Sequence, residues 1–144
     1  MSQDFGRKVN ALSEKYKKRV KAVGREAVQE LISAAQVTRG EGGRMRVDTG
    51  FLRASIQGAL GTMPRGPVGN PKRVDFRNTN QASGENISSV LLRWDPTKPI
   101  PIYVGWTANY ARVRESKDGF LRGAVENWDV YVERAVARAK AGGL

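Results

Sequence analysis

Few residues in this chain are of a type and spacing that could do chemistry. Asp48 stands beside Thr49 and close to Ser55, and Glu115 follows Arg112 and Arg114, an arrangement in which neighbouring cations could tune a carboxyl group. General acid–base work needs convergent groups, usually a carboxylate pair or a nucleophile beside a base. With no histidine and no cysteine in the chain, the commonest general base, the commonest transition-metal ligand and every thiolate are missing. Asp48 or Thr49 therefore reads as a helix cap, Asp95 before Pro96 as a turn residue, and Glu115 as one partner of a structural ion pair. The expectation is a chain without a catalytic centre, cofactor or metal site.

Those residues need elements to hold them. From Phe5 the apolar positions fall at Val9, Leu12, Tyr16, Val20, Val23, Ala27 and Leu31, one stripe along a long helix over 5–37 that runs in phase through Gly6 and Gly24. "TRGEGGRMR" opens a basic, glycine-rich loop over 38–47, too flexible for regular structure and too basic to bury; it lacks the preceding strand and the lysine-serine or lysine-threonine ending of a phosphate-cradling loop. A short helix over 48–57 turns Phe51, Leu52 and Ile56 inward. Glycine, proline and asparagine then dominate 58–86, which reads as a long surface flap or hairpin, or as a loop that orders on meeting a neighbouring subunit. Two strands, "ISSVLLRW" and "IYVGW", occupy 87–106 in a meander of three or four, a short helix follows over 108–115, and a second amphipathic helix spans 119–140. The fold class is α+β: one domain of 144 residues in which N- and C-terminal helices pack on a small antiparallel sheet.

The formal charge of +11 points to polyanionic partners. Arg7, Lys18, Lys21 and Arg25 lie opposite the apolar stripe of the first helix, with Lys8, Lys15, Lys17 and Arg19 on its flanks. That basic face has three readings: a solvated surface, a contact for nucleic acid, or a contact for an anionic membrane. No zinc-finger spacing, aromatic RNA-binding strand or helix-turn-helix pair is present, so sequence-specific nucleic-acid recognition is not expected. No apolar run has the length of a membrane span and the N-terminus lacks an apolar signal core, which places the chain in a cytosol-like compartment.

In this order the pieces resemble the small neck or tail-completion proteins of long-tailed bacteriophages, the family typified by the tenth gene product of a lambdoid coliphage and related to lambda's minor tail protein Z. Asp48, Thr49, Gly50, Leu52, Arg53, Ser55 and Ile56 match the family's "D-T-G-x-L-x-x-S-I" segment. Tyr110, Ala111 and Glu115 match its "Y-A-x-x-x-E" segment, and Phe120, Leu121 and Ala124 stand where its last helix begins. The matches cover roughly residues 5–140, and "ESKDGFL" departs from the glycine, threonine and proline that commonly follow the family's glutamate. The resemblance implies a structural protein of the virion, assembled in the host cytoplasm: a subunit of a sixfold ring at the head-tail junction through which genomic DNA passes. Its neighbours would be other copies of itself, the tail terminator or tube, and the head connector or stopper, with no membrane and no reaction.

On that reading Asp48, Thr49, Phe51, Leu52, Arg53, Trp106, Tyr110, Arg112, Arg114 and Glu115 anchor turns or face an adjacent subunit. Tyr110 and Trp106 fix the short helix to the sheet. Lys18, Lys21, Arg25, Arg39, Arg44 and Arg46 are the candidates for contact with DNA or an acidic partner, the helix meeting an acidic neighbouring ring or the edge of the packaged genome and only part of the loop reaching the lumen. A nonspecific nucleic-acid-binding module is the alternative the charge supports.

Overall fold

The computed structural model describes residues 2–77 and 87–142. The elements run α1 (Ser2–Ala35), a 3-10 turn (Arg39–Glu41), α2 (Phe51–Ala54), β1 (Ile56–Leu60), α3 (Ile87–Arg93), β2 (Ile102–Trp106), α4 (Ala111–Asp118), α5 (Phe120–Val125) and α6 (Trp128–Lys140). The protein is α+β, with its long N-terminal helix, its C-terminal helix and a small two-stranded antiparallel sheet.

β1 and β2 pair antiparallel with Ile56 opposite Trp106 and Leu60 opposite Ile102. The expected strand "IYVGW" is present, but its partner comes from 56–60, so the short helix foreseen over 48–57 shrinks to the four residues of α2 before the chain extends. Phe51, Leu52 and Ile56 all point inward as expected, Ile56 from the strand. A sheet of two strands replaces the meander.

The segment read as the strand "ISSVLLRW" is helical. Its inward residues are Ile87, Val90, Leu91 and Trp94, steps of three, one and three that only a helix places on one side; strand alternation would have turned Ser89 and Arg93 inward. Two contacts outside the segment hold it. Gly58 leaves room for α3 on β1, since a Cβ there would lie 3.1 Å from Ile87 Cδ1 and 3.3 Å from Val90 Cγ1. Arg25 reaches across from α1 and donates to the carbonyl oxygens of Leu91 (2.8 Å), Leu92 (2.6 Å) and Trp94 (3.2 Å), satisfying the acceptors a helix C-terminus leaves open.

The last helix is broken where continuity was expected. α5 stops at Val125 and α6 restarts at Trp128, with Asn127 accepting from Val130 and Tyr131 and its side-chain amide donating back to Gly123 O. The turn brings Tyr131, Ala135 and Ala139 against α1. α6 runs antiparallel to α1, and Arg134 and Arg138 pair with Glu30 and Glu26.

Two buried clusters result. Ala35, Met45, Phe51, Leu52, Ala108, Ala111, Phe120 and Ala124 form the larger, and Val28, Ile32, Ile56 and Leu91 the smaller, with Trp106 packed against both. Met45 is fully buried, so the basic loop is not wholly a surface feature: it doubles back, Thr38 bridging to Met45. Gly43 permits this, because a Cβ there would fall 1.9 Å from Val37 O. The apolar stripe of α1 divides in two. Of its residues Ala27 is buried and Val20, Val23 and Leu31 are half-buried, but Phe5, Leu12 and Tyr16 are about 70% exposed; Val28, Ile32 and Ala35, which the stripe did not include, are buried beside it. The expected core role fails there because α6 ends at Lys140, level with the middle of α1, and leaves the first half of that helix uncovered among the described residues.

Candidate functional site

The two segments that carry the family resemblance meet in space. Gly50 takes φ +80° at the start of α2, a left-handed conformation costly for any residue with a Cβ. A Cβ there would also meet the backbone of Phe76 and Arg77 at 2.8 Å. Both constraints require glycine. The close approach lets Phe76 N donate to Thr49 O at 2.6 Å and sets the Phe76 ring 5.6 Å from that of Phe51. Arg53 completes the clasp by donating to Arg77 O at 2.8 Å.

The cap expected of Asp48 or Thr49 is Gly50 instead, with no side-chain cap bond, and the Thr49 hydroxyl accepts from Phe51 N at 3.3 Å from one position further out. Asp48 is not the helix cap; it lies in a salt bridge with Arg73 at 2.7 Å, both side chains exposed. Behind them Ser55 donates to Leu52 O at 2.6 Å and Thr107 donates to Ser55 O at 2.8 Å, which satisfies two buried hydroxyls. The near limb of the flap lies beside the chain leaving β2: Val68 N donates to Thr107 O and Asn109 N to Val68 O. Residues 78–86 of the expected flap lie outside the described residues.

Tyr110 opens the second segment at the start of α4, its ring 6.3 Å from that of Phe51. Burial pushes its phenol above the ordinary value, opposed by a hydrogen bond from the Leu52 backbone N–H. Trp106 stands edge-on to Phe120 at 5.3 Å, so Trp106 anchors α5, and not the short helix, to the sheet, while the Tyr110 ring meets α2 at Phe51. Glu115 does not pair with Arg112 or Arg114. Its carboxylate accepts from Leu121 N at 2.8 Å and Arg122 N at 2.9 Å, capping the first turn of α5. Gly119, at φ +65°, turns the chain between α4 and α5 so that the glutamate can reach back. Arg112 is exposed.

Asp118 was missed in the sequence. Its side chain is 3% exposed and faces Arg39 at 2.7 Å, Arg114 at 3.6 Å and Arg46 at 4.0 Å. The only local signal is the i, i+4 spacing of Arg114 and Asp118; the other two arginines arrive through the fold. Arg44 donates to Gly119 O at 3.4 Å and lies over Gly123, where a Cβ would come within 2.8 Å of its guanidinium. The basic loop thus turns inward, and Arg39, Arg44 and Arg46, expected to reach a lumen, secure the α4–α5 turn. Arg25 caps α3, and Lys21 pairs with Asp95 at 3.4 Å. Of the six cations proposed for DNA or an acidic partner, Lys18 and Arg44 are exposed without a salt bridge among the described residues, and of these two Arg44 is held by its hydrogen bond to Gly119 O.

A pocket of about 500 Å³ opens between the segments, lined by Asp48, Thr49, Asn70, Arg73, Asn109 and Tyr110. Its polar groups are mostly engaged in turns and in the Asp48–Arg73 pair, and no nucleophile–base pair faces it among the described residues. Among those residues no group of three or more metal-ligating side chains occurs, and no helix is long and apolar enough to cross a membrane. Compared with protein-family models, curated proteins and solved structures, the chain matches none.

Proposed function

We propose that the protein is a structural subunit of a tailed bacteriophage, a tail-completion or neck protein that assembles with copies of itself into a sixfold ring at the head-tail junction, through which DNA passes. One observation carries this reading. The segments matching the neck-protein family, 48–56 and 110–124, are far apart in the chain yet share one cluster, and nearly every matching residue has a packing or turn-forming task in it. The same residues supply no convergent acid, base and nucleophile, which supports a role in assembly. Asp48, Thr49 and Tyr110 border the pocket and Arg112 is exposed on α4, and these are the residues proposed to meet the tail terminator or tube or the head connector.

The test is removal of the gene followed by negative-stain imaging of the particles. Filled heads and full-length tails lying separate are expected; intact virions would end the reading. The charge of +11 also supports nonspecific binding to nucleic acid. Salt-dependent binding of the isolated chain to duplex DNA at physiological ionic strength, together with normal joining in the deletion, would favour that second role.

A further inference from the structure

α1 extends past the body it packs on. Phe5, Val9, Leu12 and Tyr16 are 71, 47, 69 and 68% exposed, and their steps of four, three and four form a seam suited to another helix. Lys8, Lys15 and Arg19, all exposed, line one flank of that seam. On the same flank further along, Glu26 and Glu30 hold Arg138 and Arg134 of α6. The charge pattern that recruits a covering helix therefore continues into the uncovered half of α1 with its sign reversed.

The same molecule carries a matching receptor. An apolar groove of about 560 Å³ runs between α1 and α6, walled by Val20, Val23, Trp94, Pro96, Val132 and Val136. Beyond its α6 wall, on the side of that helix away from Arg134 and Arg138, are Asp129 and Glu133, exposed and without a salt bridge among the described residues. They are four residues apart, as are Lys15 and Arg19, and one helical turn spans about 5.4 Å in both cases. Lys140 sits at the far end of α6, which directs a basic flank toward the acidic half of the groove.

We propose that the N-terminal half of α1 of one copy lies in the α1–α6 groove of the next, with Lys15 and Arg19 against Asp129 and Glu133. Two α1 seams laid side by side would oppose lysines to lysines and arginines, a like-charge arrangement that disfavours that pairing. The seam of Phe5, Val9 and Leu12 and the α6 wall of the groove are different surfaces that adjoin at Tyr16 and Arg19, which also line the groove, so the contact is heterologous and closes into a ring when the rotation between copies permits. The inference rests on the ring-subunit reading and names the contact.

The chain has no cysteine, so Leu12→Cys with Val136→Cys in the purified full chain gives a clean cross-linking test. Oxidation is expected to produce a ladder of disulfide-linked multimers. Lys15→Glu with Arg19→Glu should abolish the ladder, and adding Asp129→Lys with Glu133→Lys should bring it back; all four positions are exposed, and a thermal melt checks each variant's fold. A chain that stays monomeric under oxidant, a ladder indifferent to charge reversal, or a quadruple reversal without recovery would overturn the contact. So would binding of the seam to phosphatidylserine vesicles in place of cross-linking. Normal virions in the gene deletion alongside a charge-dependent ladder would sink the neck reading and leave the contact standing. Separated heads and tails with no ladder would do the reverse.

Discussion

Glu115 carries its prediction at the scale of one side chain. Its carboxylate holds two amide donors at the start of α5, and capping groups of this kind contribute about 1 kcal/mol. Glu115→Ala should lower stability by about that amount, and Glu115→Gln by less, because an amide oxygen still accepts; equilibrium urea unfolding measures both. Equal losses in the two variants would show that packing, and not the cap, fixes the residue. Gly50→Ala should cost more, about 2–4 kcal/mol, since it adds a positive-φ penalty to a backbone collision with Phe76 and Arg77. Limited proteolysis should then cut near 68–77 first, as the clasp opens. Gly50 and Glu115 stand out in the sequence only through a resemblance, and the tasks they perform depend on partners that local spacing does not reveal. Asp118 makes the same point more strongly, as Arg39 and Arg46 reach it only after the loop has folded back.

At the scale of elements, long-period signals were legible and short ones were not. The stripe of α1 and the β-branched run of β2 declared themselves, whereas α3, seven residues long, shows less than two turns of period and reads equally as a strand. What settles it is tertiary: the Arg25 clamp and the space above Gly58. The turn that follows carries a pH prediction. Asp95 is held down to about 2, chiefly by the Thr97 hydroxyl at 2.6 Å and then by the Thr97 backbone N–H and Lys21, against an ordinary carboxylate value of 3.8. A depressed carboxyl favours the folded turn above its ordinary value and loses that advantage as pH falls toward 2. In an NMR carboxyl titration, Thr97→Ala should move Asp95 back up toward 3.8; an unmoved midpoint would assign the shift to the backbone N–H of residue 97 and Lys21 instead.

At the scale of the whole molecule, the periodicity of α1 was read correctly and its destination was not, because a stripe looks the same whether its cover belongs to the chain or to a neighbour. Ala27 is buried and Val20, Val23 and Leu31 half-buried within the molecule, while Phe5, Leu12 and Tyr16 remain in water. The uncovered half has no tertiary packing among the described residues to add to the marginal stability of a lone helix. Backbone amides before residue 18 should therefore exchange within the fraying regime, while those facing α6 persist until global unfolding. Deleting residues 2–16 follows as the decisive variant. It should leave a cooperatively folding body within about 0.5 kcal/mol of the full chain, as expected for a segment none of whose described residues is buried in the core. If the seam works in assembly, that folded body should still fail to join heads to tails. A deletion that melts the body would mean the stripe belongs to the chain's own core; a folded deletion that joins heads to tails normally would mean the exposed seam has no part in assembly.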